Sequence, residues 1–271
     1  GKVFGNLDLI GDGIVLPQAV ASEQLFADPA NYNAVSVILG TNRDEMKLFL
    51  SFSPDQVDKF MGIPIAIKNS GRYEAFSSYA SDQWKIKAVD QLATVMRQGQ
   101  GDNVFAYRFD ADDLRDFGFL SLQELMGAAH AFEIPYVFGN FVSLMSNLIH
   151  PESARAARNT LSQSMMSYWA SFAHYGEPAK GYHGKQVEWG TWSNNDDQNR
   201  VMIFDTSIDR GIRMSPMKLK MQDLKQRFFS ETRFNDQEEY CQAYKLLFAN
   251  ESFVQSEYDN LGDKGCSEVG L

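Results

Sequence analysis

Short apolar runs of strand length alternate along the chain with longer segments of helical periodicity, and this alternation limits the possible folds most strongly. β-Branched and aromatic residues bounded by turn signals predict strands over residues 34–39, 103–109 and 200–205. Helical spacing of apolar residues, and for residues 53–62 the cap-then-proline start at Ser53-Pro54, predict helices over residues 18–28, 53–62, 83–97, 152–175, 216–229 and 235–249. Strands that alternate with helices favour an α/β fold, in which helices cover the faces of a sheet.

The number of strands is small for a chain of 271 residues. An independent doubly wound domain is expected to contain more than the three or four strands found here. The chain also opens at Gly1 rather than at Met, within a run rich in Gly, Val and Leu. We therefore expect residues 1–271 to be the C-terminal part of a single domain, whose central sheet is completed by an N-terminal segment or chain.

Composition and charge exclude several classes of protein. Hydrophobic residues make up 44% of the chain and charged residues 22%, which excludes wholesale disorder. The formal net charge of −10 repels phosphate backbones and argues against nucleic-acid binding. No apolar stretch reaches the roughly 18 residues that a membrane span needs. Neither the cysteines nor the histidines have the spacing of a metal site, so none is predicted.

An acidic residue and a histidine occur in an order that suggests catalysis. Glu45 lies in the run GTNRDEMKLFL, directly after the first predicted strand, and His130 lies in the run MGAAHAFEIPYVFG. A serine nucleophile followed by an acid and then a histidine is the chain order of α/β-hydrolase triads. No G-x-S-x-G nucleophile elbow occurs in the sequence. The chain therefore has two thirds of a triad, and we expect the serine to lie N-terminal to Gly1 or on another polypeptide.

Five segments of the chain resemble the type-B carboxylesterase family, which includes the cholinesterases. They are DGIVLP at 12–17, GTNRDE at 40–45, YRF at 107–109, HAFEIPYVFG at 130–139, and YWASFA followed by GEP at 168–178. The matches keep the family's order from residue 12 to about residue 205. One position departs from the pattern, because Met46 follows Glu45 where the family usually has Gly. Since Gly reaches positive φ freely and Met does not, a change in this turn is expected.

The resemblance implies an α/β-hydrolase fold, of which this chain forms the C-terminal part of the central sheet with its flanking helices. It also implies that His130 is the general base that activates the serine and the acid that protonates the leaving alcohol. Glu45 then holds the tautomer of His130 and stabilises its charged form. The serine, on a G-x-S-x-G elbow, and the oxyanion-hole amides are expected on an N-terminal companion polypeptide. This acyl transfer needs no cofactor.

Other residues compete for these roles. Asp44 is the nearest competitor of Glu45, and Glu133 is a second carboxylate close to His130 in sequence, with a structural role favoured. Ser121 and Ser171 are candidate nucleophiles on this chain, although neither lies in an elbow-like Gly context. The remaining histidines are interpreted as structural or surface residues: His150, His174 and His183. Four aromatic residues are candidates for an apolar pocket or for ordinary core: Phe132, Tyr136, Phe138 and Phe141.

The sequence thus predicts a hydrolase of small-molecule carboxylic esters. The alternative is a non-catalytic adhesion or scaffold protein of cholinesterase-like fold that has lost its nucleophile. A secreted or periplasmic location is slightly favoured over a cytoplasmic one. Cys241 and Cys266, 25 positions apart, are expected to form a disulfide in an oxidising compartment and to remain free thiols in a reducing one.

Overall fold

The strands form one mixed sheet and one separate hairpin. The computed structural model describes residues 12–15, 18, 23–142, 148–249 and 252–267. Residues 16 and 17 of the segment DGIVLP and residues 19–22 of the first predicted helix lie outside this part. The strands of the described part are β1 (Val37–Asn42), β2 (Val57–Phe60), β3 (Ile63–Ile67), β4 (Val104–Phe109), β5 (Val201–Phe204) and β6 (Arg213–Ser215).

The mixed sheet has the order β1-β4-β5-β6. β1 pairs with β4 and β4 pairs with β5 in parallel, whereas β5 and β6 are antiparallel. Parallel neighbours require long crossover connections, and here these contain helices. The predicted α/β class is confirmed. Gly40, the residue after the first predicted strand, lies inside β1. It faces Tyr107 so closely that a Cβ would overlap the tyrosine ring, which explains a glycine within a strand.

The helices of the described part are of unequal length. They are α1 (Glu23–Ala27), α2 (Glu45–Leu50), α3 (Ser70–Lys85), α4 (Leu92–Gln100), α5 (Leu122–Met126), α6 (Ile134–Phe138), α7 (Arg155–Tyr175), α8 (Met221–Phe229), α9 (Gln237–Leu247) and α10 (Gln255–Asp259). A π-helical turn, Ile86–Gln91, joins α3 to α4, and short 3₁₀ turns occur at Pro29–Asn31 and Glu152–Ala154. The longest predicted helix is confirmed as α7 with its preceding 3₁₀ turn.

The helix predicted over residues 53–62 is wrong. β2 and β3 pair there as an antiparallel hairpin, and its two-residue turn is Met61-Gly62 with φ of 51° and 84°. A two-residue turn with positive φ suits the twist of a hairpin. Ser53-Pro54, which indicated a helix start, lies instead in the turn that leads from α2 into β2.

The helical segment predicted over residues 83–97 begins thirteen positions earlier in the structure, at Ser70. The Asn69 side chain caps it by accepting a hydrogen bond from the Arg72 amide at 2.9 Å. The buried positions of α3 include Ser77 and Ser81, so its inner face is only partly apolar. The missing apolar repeat explains why the sequence did not indicate the first half of this segment.

Helices cover both faces of the sheet. Alternate residues of β4 and β5, such as Phe109 and Phe204, pack under Tyr168 of α7. The residues between them, such as Ala106, pack under Val89 of the π turn. This alternation is the two-residue period of a strand buried on both faces. A further apolar cluster joins α8, α9 and α10 to α3.

A buried ion pair bridges the π turn. Lys85 Nζ lies 2.5 and 2.7 Å from the two carboxylate oxygens of Asp90, and both side chains are almost fully buried. Asp90 also accepts the Leu219 amide at 2.7 Å, which ties the helical segment to the chain beyond β6. Burial lowers the pKa of Lys85 and raises the pKa of Asp90, while their mutual attraction opposes both shifts. The pair therefore fixes the helix at the turn where its register changes.

The two cysteines are joined. Cys241 of α9 and Cys266 form a disulfide with a Cα–Cα distance of 5.6 Å, and both are buried in the C-terminal apolar cluster. The bond closes a loop of 25 positions that contains α10. Such a loop restricts the unfolded chain and so stabilises the native state.

We expect the double variant Cys241→Ala/Cys266→Ala to lose about 3 kcal/mol of unfolding free energy, the value typical of a loop of this length. Urea denaturation of the oxidised parent and the variant measures the difference. The parent treated with dithiothreitol is the matched control and should unfold near the variant, which itself should not respond to the reductant. An oxidised parent that unfolds at the same urea concentration as the variant would contradict the prediction.

Candidate active site

The loops that follow β1, β4 and β5 lie side by side at the carboxyl edge of the sheet. The Arg43 amide donates to the Phe109 carbonyl at 2.8 Å, and the Asp110 amide donates to the Phe204 carbonyl at 2.8 Å. Binding sites of open α/β sheets form at this edge, because the loops there converge from several strands. Glu45 begins α2 only three residues after the end of β1.

Glu45 is held in one position by three hydrogen bonds. It is 4% exposed, and its Oε1 accepts the Asn42 amide at 2.7 Å and the Thr41 hydroxyl at 3.2 Å. Its Oε2 lies 2.6 Å from Nδ1 of His130. A buried carboxylate needs such donors to remain charged. The arrangement leaves Oε2 directed at the imidazole.

Met46 follows Glu45 in the first turn of α2. It lies within α2, in right-handed helical conformation, and its amide donates to Ser81 Oγ at 3.1 Å. The position therefore does not need the positive φ that a glycine would provide.

His130 lies on a loop that is hydrogen-bonded to the acid loop. The Asp44 amide donates to the Ala128 carbonyl, and the Ala128 amide donates to Asp44 Oδ2, each at 3.0 Å. Gly127 has a φ of 50°, and a Cβ on it would overlap the Asp44 carboxylate. The close approach of the two loops thus depends on a glycine three residues before His130.

The imidazole is accessible at its outer nitrogen. The His130 side chain is 41% exposed. Because Nδ1 faces the Glu45 carboxylate, Nδ1 carries the proton of the neutral ring and Nε2 presents a lone pair. Nε2 makes no hydrogen bond within the described residues. The rings of Phe49 and Trp84 lie beside the imidazole, with centroids 5.4 and 5.3 Å from it.

Asp44 has a different environment. Its carboxylate accepts from Arg43 Nε at 3.0 Å as well as from the Ala128 amide, and Lys47 Nζ lies 4.0 Å away. Arg43 in turn pairs with Asp112 at 2.5 Å. The structure therefore brings Glu45, and not Asp44, to hydrogen-bonding distance of His130.

Asn42 is a site residue that the sequence analysis missed. Its Nδ2 donates to the Ala129 carbonyl and to Glu133 Oε2, each at 2.6 Å, and the residue is almost fully buried. It thus joins the end of β1 to the residues on both sides of His130. Its place in the GTN run carried no signal for this role, because a polar residue at a strand end is usually an exposed turn residue.

A model of the carboxylesterase family matches residues 65–228. The chain belongs to the carboxylesterase family. The matched region includes His130 and begins after Glu45. The resemblance stated from the five sequence segments is confirmed, whereas the catalytic roles of Glu45 and His130 remain predictions.

Individual relatives are longer than this chain. Bile salt-activated lipase of Bos taurus is 29% identical over 107 residues, which cover 40% of this chain and 16% of that protein. Among solved structures, Aspergillus niger EstA is 18% identical with a TM-score of 0.48 and covers 86% of this chain and 45% of its own. A PNB esterase is 24% identical with a TM-score of 0.44, covering 74% of this chain and 40% of its own. The chain spans less than half the length of each of these relatives.

The other candidate residues of this family member make local contacts. Ser121 Oγ accepts the Glu124 amide at 3.2 Å and caps α5, and Ser171 Oγ donates to the Glu177 carbonyl at 2.9 Å. Neither serine is hydrogen-bonded to His130 in the part that the structure describes. Both serines therefore stabilise local backbone, and the structure does not bring them to the site.

The other histidines make ring contacts elsewhere, and within the described residues none of them is hydrogen-bonded to Glu45. His150 lies near the rings of Tyr136 and Phe141, and burial, reinforced by the charge of Arg158, lowers its pKa to about 4. His174 lies on the surface beside Tyr175, with ring centroids 4.5 Å apart. His183 is exposed beside Tyr182.

An apolar cavity of about 300 Å³ lies next to the loop of His130. Phe132 forms part of its wall, and so does Leu48, the neighbour of Phe49. The remaining lining residues are Ser51, Phe52, Pro64, Leu114, Leu122, Leu125, Met126 and Ile149. Of the other aromatic residues considered for a pocket, Tyr136 and Phe141 pack in the core and Phe138 is mostly exposed.

The described residues contain no group of three or more His, Cys, Asp or Glu side chains placed to hold a metal ion. Their helices also lack the combination of length and apolar sequence that a membrane crossing requires.

We expect Asn42→Ala to destabilise the protein by roughly 1–3 kcal/mol, because the Ala129 carbonyl and the Glu133 carboxylate lose a buried donor. Urea denaturation measures the loss. Asn140→Ala is the matched control, since Asn140 is exposed and its side chain accepts, within the described residues, a single long hydrogen bond from the Val142 amide. Equal unfolding midpoints for Asn42→Ala and Asn140→Ala would show that the link contributes nothing.

Proposed function

We propose that the protein hydrolyses carboxylic esters through an acyl-serine intermediate and that this chain supplies the acid and the base of the triad. The observation that supports this most directly is the 2.6 Å contact between Glu45 Oε2 and His130 Nδ1. It leaves the basic Nε2 of a partly exposed imidazole free to accept a proton from a nucleophile.

The reaction follows from this geometry. Nε2 of His130 takes the serine proton as the hydroxyl oxygen attacks the ester carbonyl, and a tetrahedral intermediate forms. The imidazolium is stabilised by the ionised Glu45, which remains deprotonated. His130 then gives the proton to the leaving alcohol, and the acyl-serine remains. Water attacks this acyl group by the same route, which releases the carboxylic acid and restores the serine.

The serine is proposed to lie outside this sequence, on an N-terminal segment or a companion polypeptide with a G-x-S-x-G elbow and the oxyanion-hole amides. Two observations support this. The sequence contains no such elbow. β1 is an edge strand of the sheet as far as the described residues extend, and an edge strand offers unpaired backbone groups to a further strand. A parallel strand added at β1 would end beside Glu45.

The substrate is proposed to be a small ester with an apolar acyl or alkyl chain. The apolar cavity beside the His130 loop supports this, because hydrocarbon chains gain about 0.8 kcal/mol for each buried CH₂ group. If the cavity binds the hydrocarbon chain, kcat/KM should be higher for octanoate esters than for acetate esters. Equal values would contradict this binding mode.

The roles of the two residues are tested by substitution in the active enzyme. We expect His130→Ala and Glu45→Gln each to lower kcat for ester hydrolysis by ~10³-fold or more while the fold remains intact. His174→Ala is the control, because His174 lies on the surface away from Glu45, and it should leave kcat unchanged. Near-normal turnover by either site variant would remove that residue from the mechanism.

The origin of the nucleophile is tested by labelling the purified protein with a fluorophosphonate and measuring intact masses under denaturing conditions. We expect the label on a second polypeptide, or on a part of a longer chain outside these 271 residues. A label on this chain would place the nucleophile here and contradict the proposal. An unlabelled second polypeptide would favour the non-catalytic adhesion or scaffold alternative.

A further inference from the structure

We infer that Trp84 and Phe49 are positioning residues that stabilise the charged form of His130. The importance of this effect for catalysis rests on the proposed function. The interaction itself is a property of the chain and is tested without any ester.

Two helices place the aromatic rings. Phe49 lies four residues after Glu45 in α2, and residues at this spacing lie on the same helix face. One face of α2 therefore meets His130 twice, through the Glu45 carboxylate and through the Phe49 ring. Trp84 comes from the last turn of α3, and one turn earlier Ser81 Oγ accepts the Met46 amide. α3 is thus fixed to the first turn of α2.

The ring geometry favours a positive charge on the imidazole. Phe49 and Trp84 are nearly parallel, with centroids 6.3 Å apart and an interplanar angle of 21°. The imidazole is tilted by 37° to the first and 55° to the second, at 5.4 and 5.3 Å. A cation over the face of an aromatic ring and within about 6 Å of its centroid is attracted by the ring quadrupole, most strongly for Trp. At these distances a ring face turned toward the imidazole favours imidazolium, since a neutral imidazole gains less.

Glu45 is the charged group that is hydrogen-bonded to this imidazole. The other charged groups on the elements packed around it have partners of their own. Lys47 of α2 pairs with Glu74, Asp82 of α3 with Arg227, Lys85 with Asp90, Asp44 with Arg43, and Glu133 accepts from Asn42. The Asn42 amide is neutral and does not compensate the Glu133 carboxylate, so Glu45, Glu133 and the two rings all act on an imidazolium at His130.

The ion pair next to Trp84 helps to hold the indole in place. Lys85 is the last residue of α3 and forms a buried ion pair with Asp90 of the following π turn, so the backbone at Trp84 is anchored on its C-terminal side. During the proposed reaction His130 becomes imidazolium each time it takes the serine proton. Fixed aromatic rings then stabilise this charge without rearrangement.

The test is the pH titration of the histidine ring signals by NMR in the full chain, which contains four histidines. His130→Gln assigns the signals of His130. We expect Trp84→Leu and Phe49→Leu each to move the titration midpoint of His130 to lower pH, with a roughly two- to fivefold larger proton dissociation constant. Trp84→Phe keeps an aromatic face and should restore most of the parent value.

The direction of the change separates this role from a structural one. A Trp84 that merely shields the imidazole from water would disfavour its charge, so its loss would move the midpoint to higher pH. Tyr175→Leu is the matched control, because Tyr175 lies beside His174, and it should leave the His130 signals unchanged.

An unchanged or higher midpoint in both leucine variants, with native signals from the other histidines, would overturn the inference. If Trp84→Leu does not fold, Phe49→Leu decides the question, and an unmoved His130 midpoint in that variant contradicts the proposal. The titration does not depend on turnover. A failed fluorophosphonate label therefore rejects the proposed function alone, and an unmoved His130 midpoint rejects the aromatic effect alone.

Discussion

Parallel pairing of β1, β4 and β5 is the constraint on which the rest of the site depends. It brings the loops after three strands that are distant in sequence to one edge of the sheet, where Arg43 and Asp110 are already hydrogen-bonded across neighbouring strands. Residues 45 and 130 are then neighbours because their loops meet there. Without this pairing, neither Glu45 nor His130 would have a feature that distinguishes it from an ordinary loop residue.

The site is rigid on one side and open on the other. The inner edge of the imidazole is fixed by the Glu45 carboxylate. The loop that carries the imidazole is held by the Asn42 amide group and by the two hydrogen bonds between Asp44 and Ala128. The outer edge is exposed, and an apolar cavity lies next to the loop that carries His130. A proton acceptor needs both properties, since its tautomer must be fixed while its reactive nitrogen stays accessible. Phe49 and Trp84 add apolar surfaces that leave Nε2 without a competing hydrogen bond in the described structure.

The sequence predicted the α/β class, the two later strands of the parallel set and the long helix, because each has a strong local signal. It missed the hairpin. Ser53-Pro54 has the sequence of a helix start, but the turn at Met61-Gly62 joins two antiparallel strands there. It also missed the first half of α3, whose buried serines carry no apolar repeat. Asn42 and Trp84 could not have been found, because their contacts join residues about 46 to 91 positions apart. The pairing of Glu45 with His130 was expected only through family resemblance, since local sequence does not encode a distance.

Within the part of the chain that the structure describes, β1 is an edge strand, and this has a consequence for the behaviour of the chain in isolation. The backbone groups that would accept a further strand are equally available to the same edge of a second copy. Edge-to-edge association would satisfy those groups at high protein concentration and would occupy the edge at which the proposed N-terminal strand adds. The strand that completes the proposed enzyme would thus also protect it from aggregation.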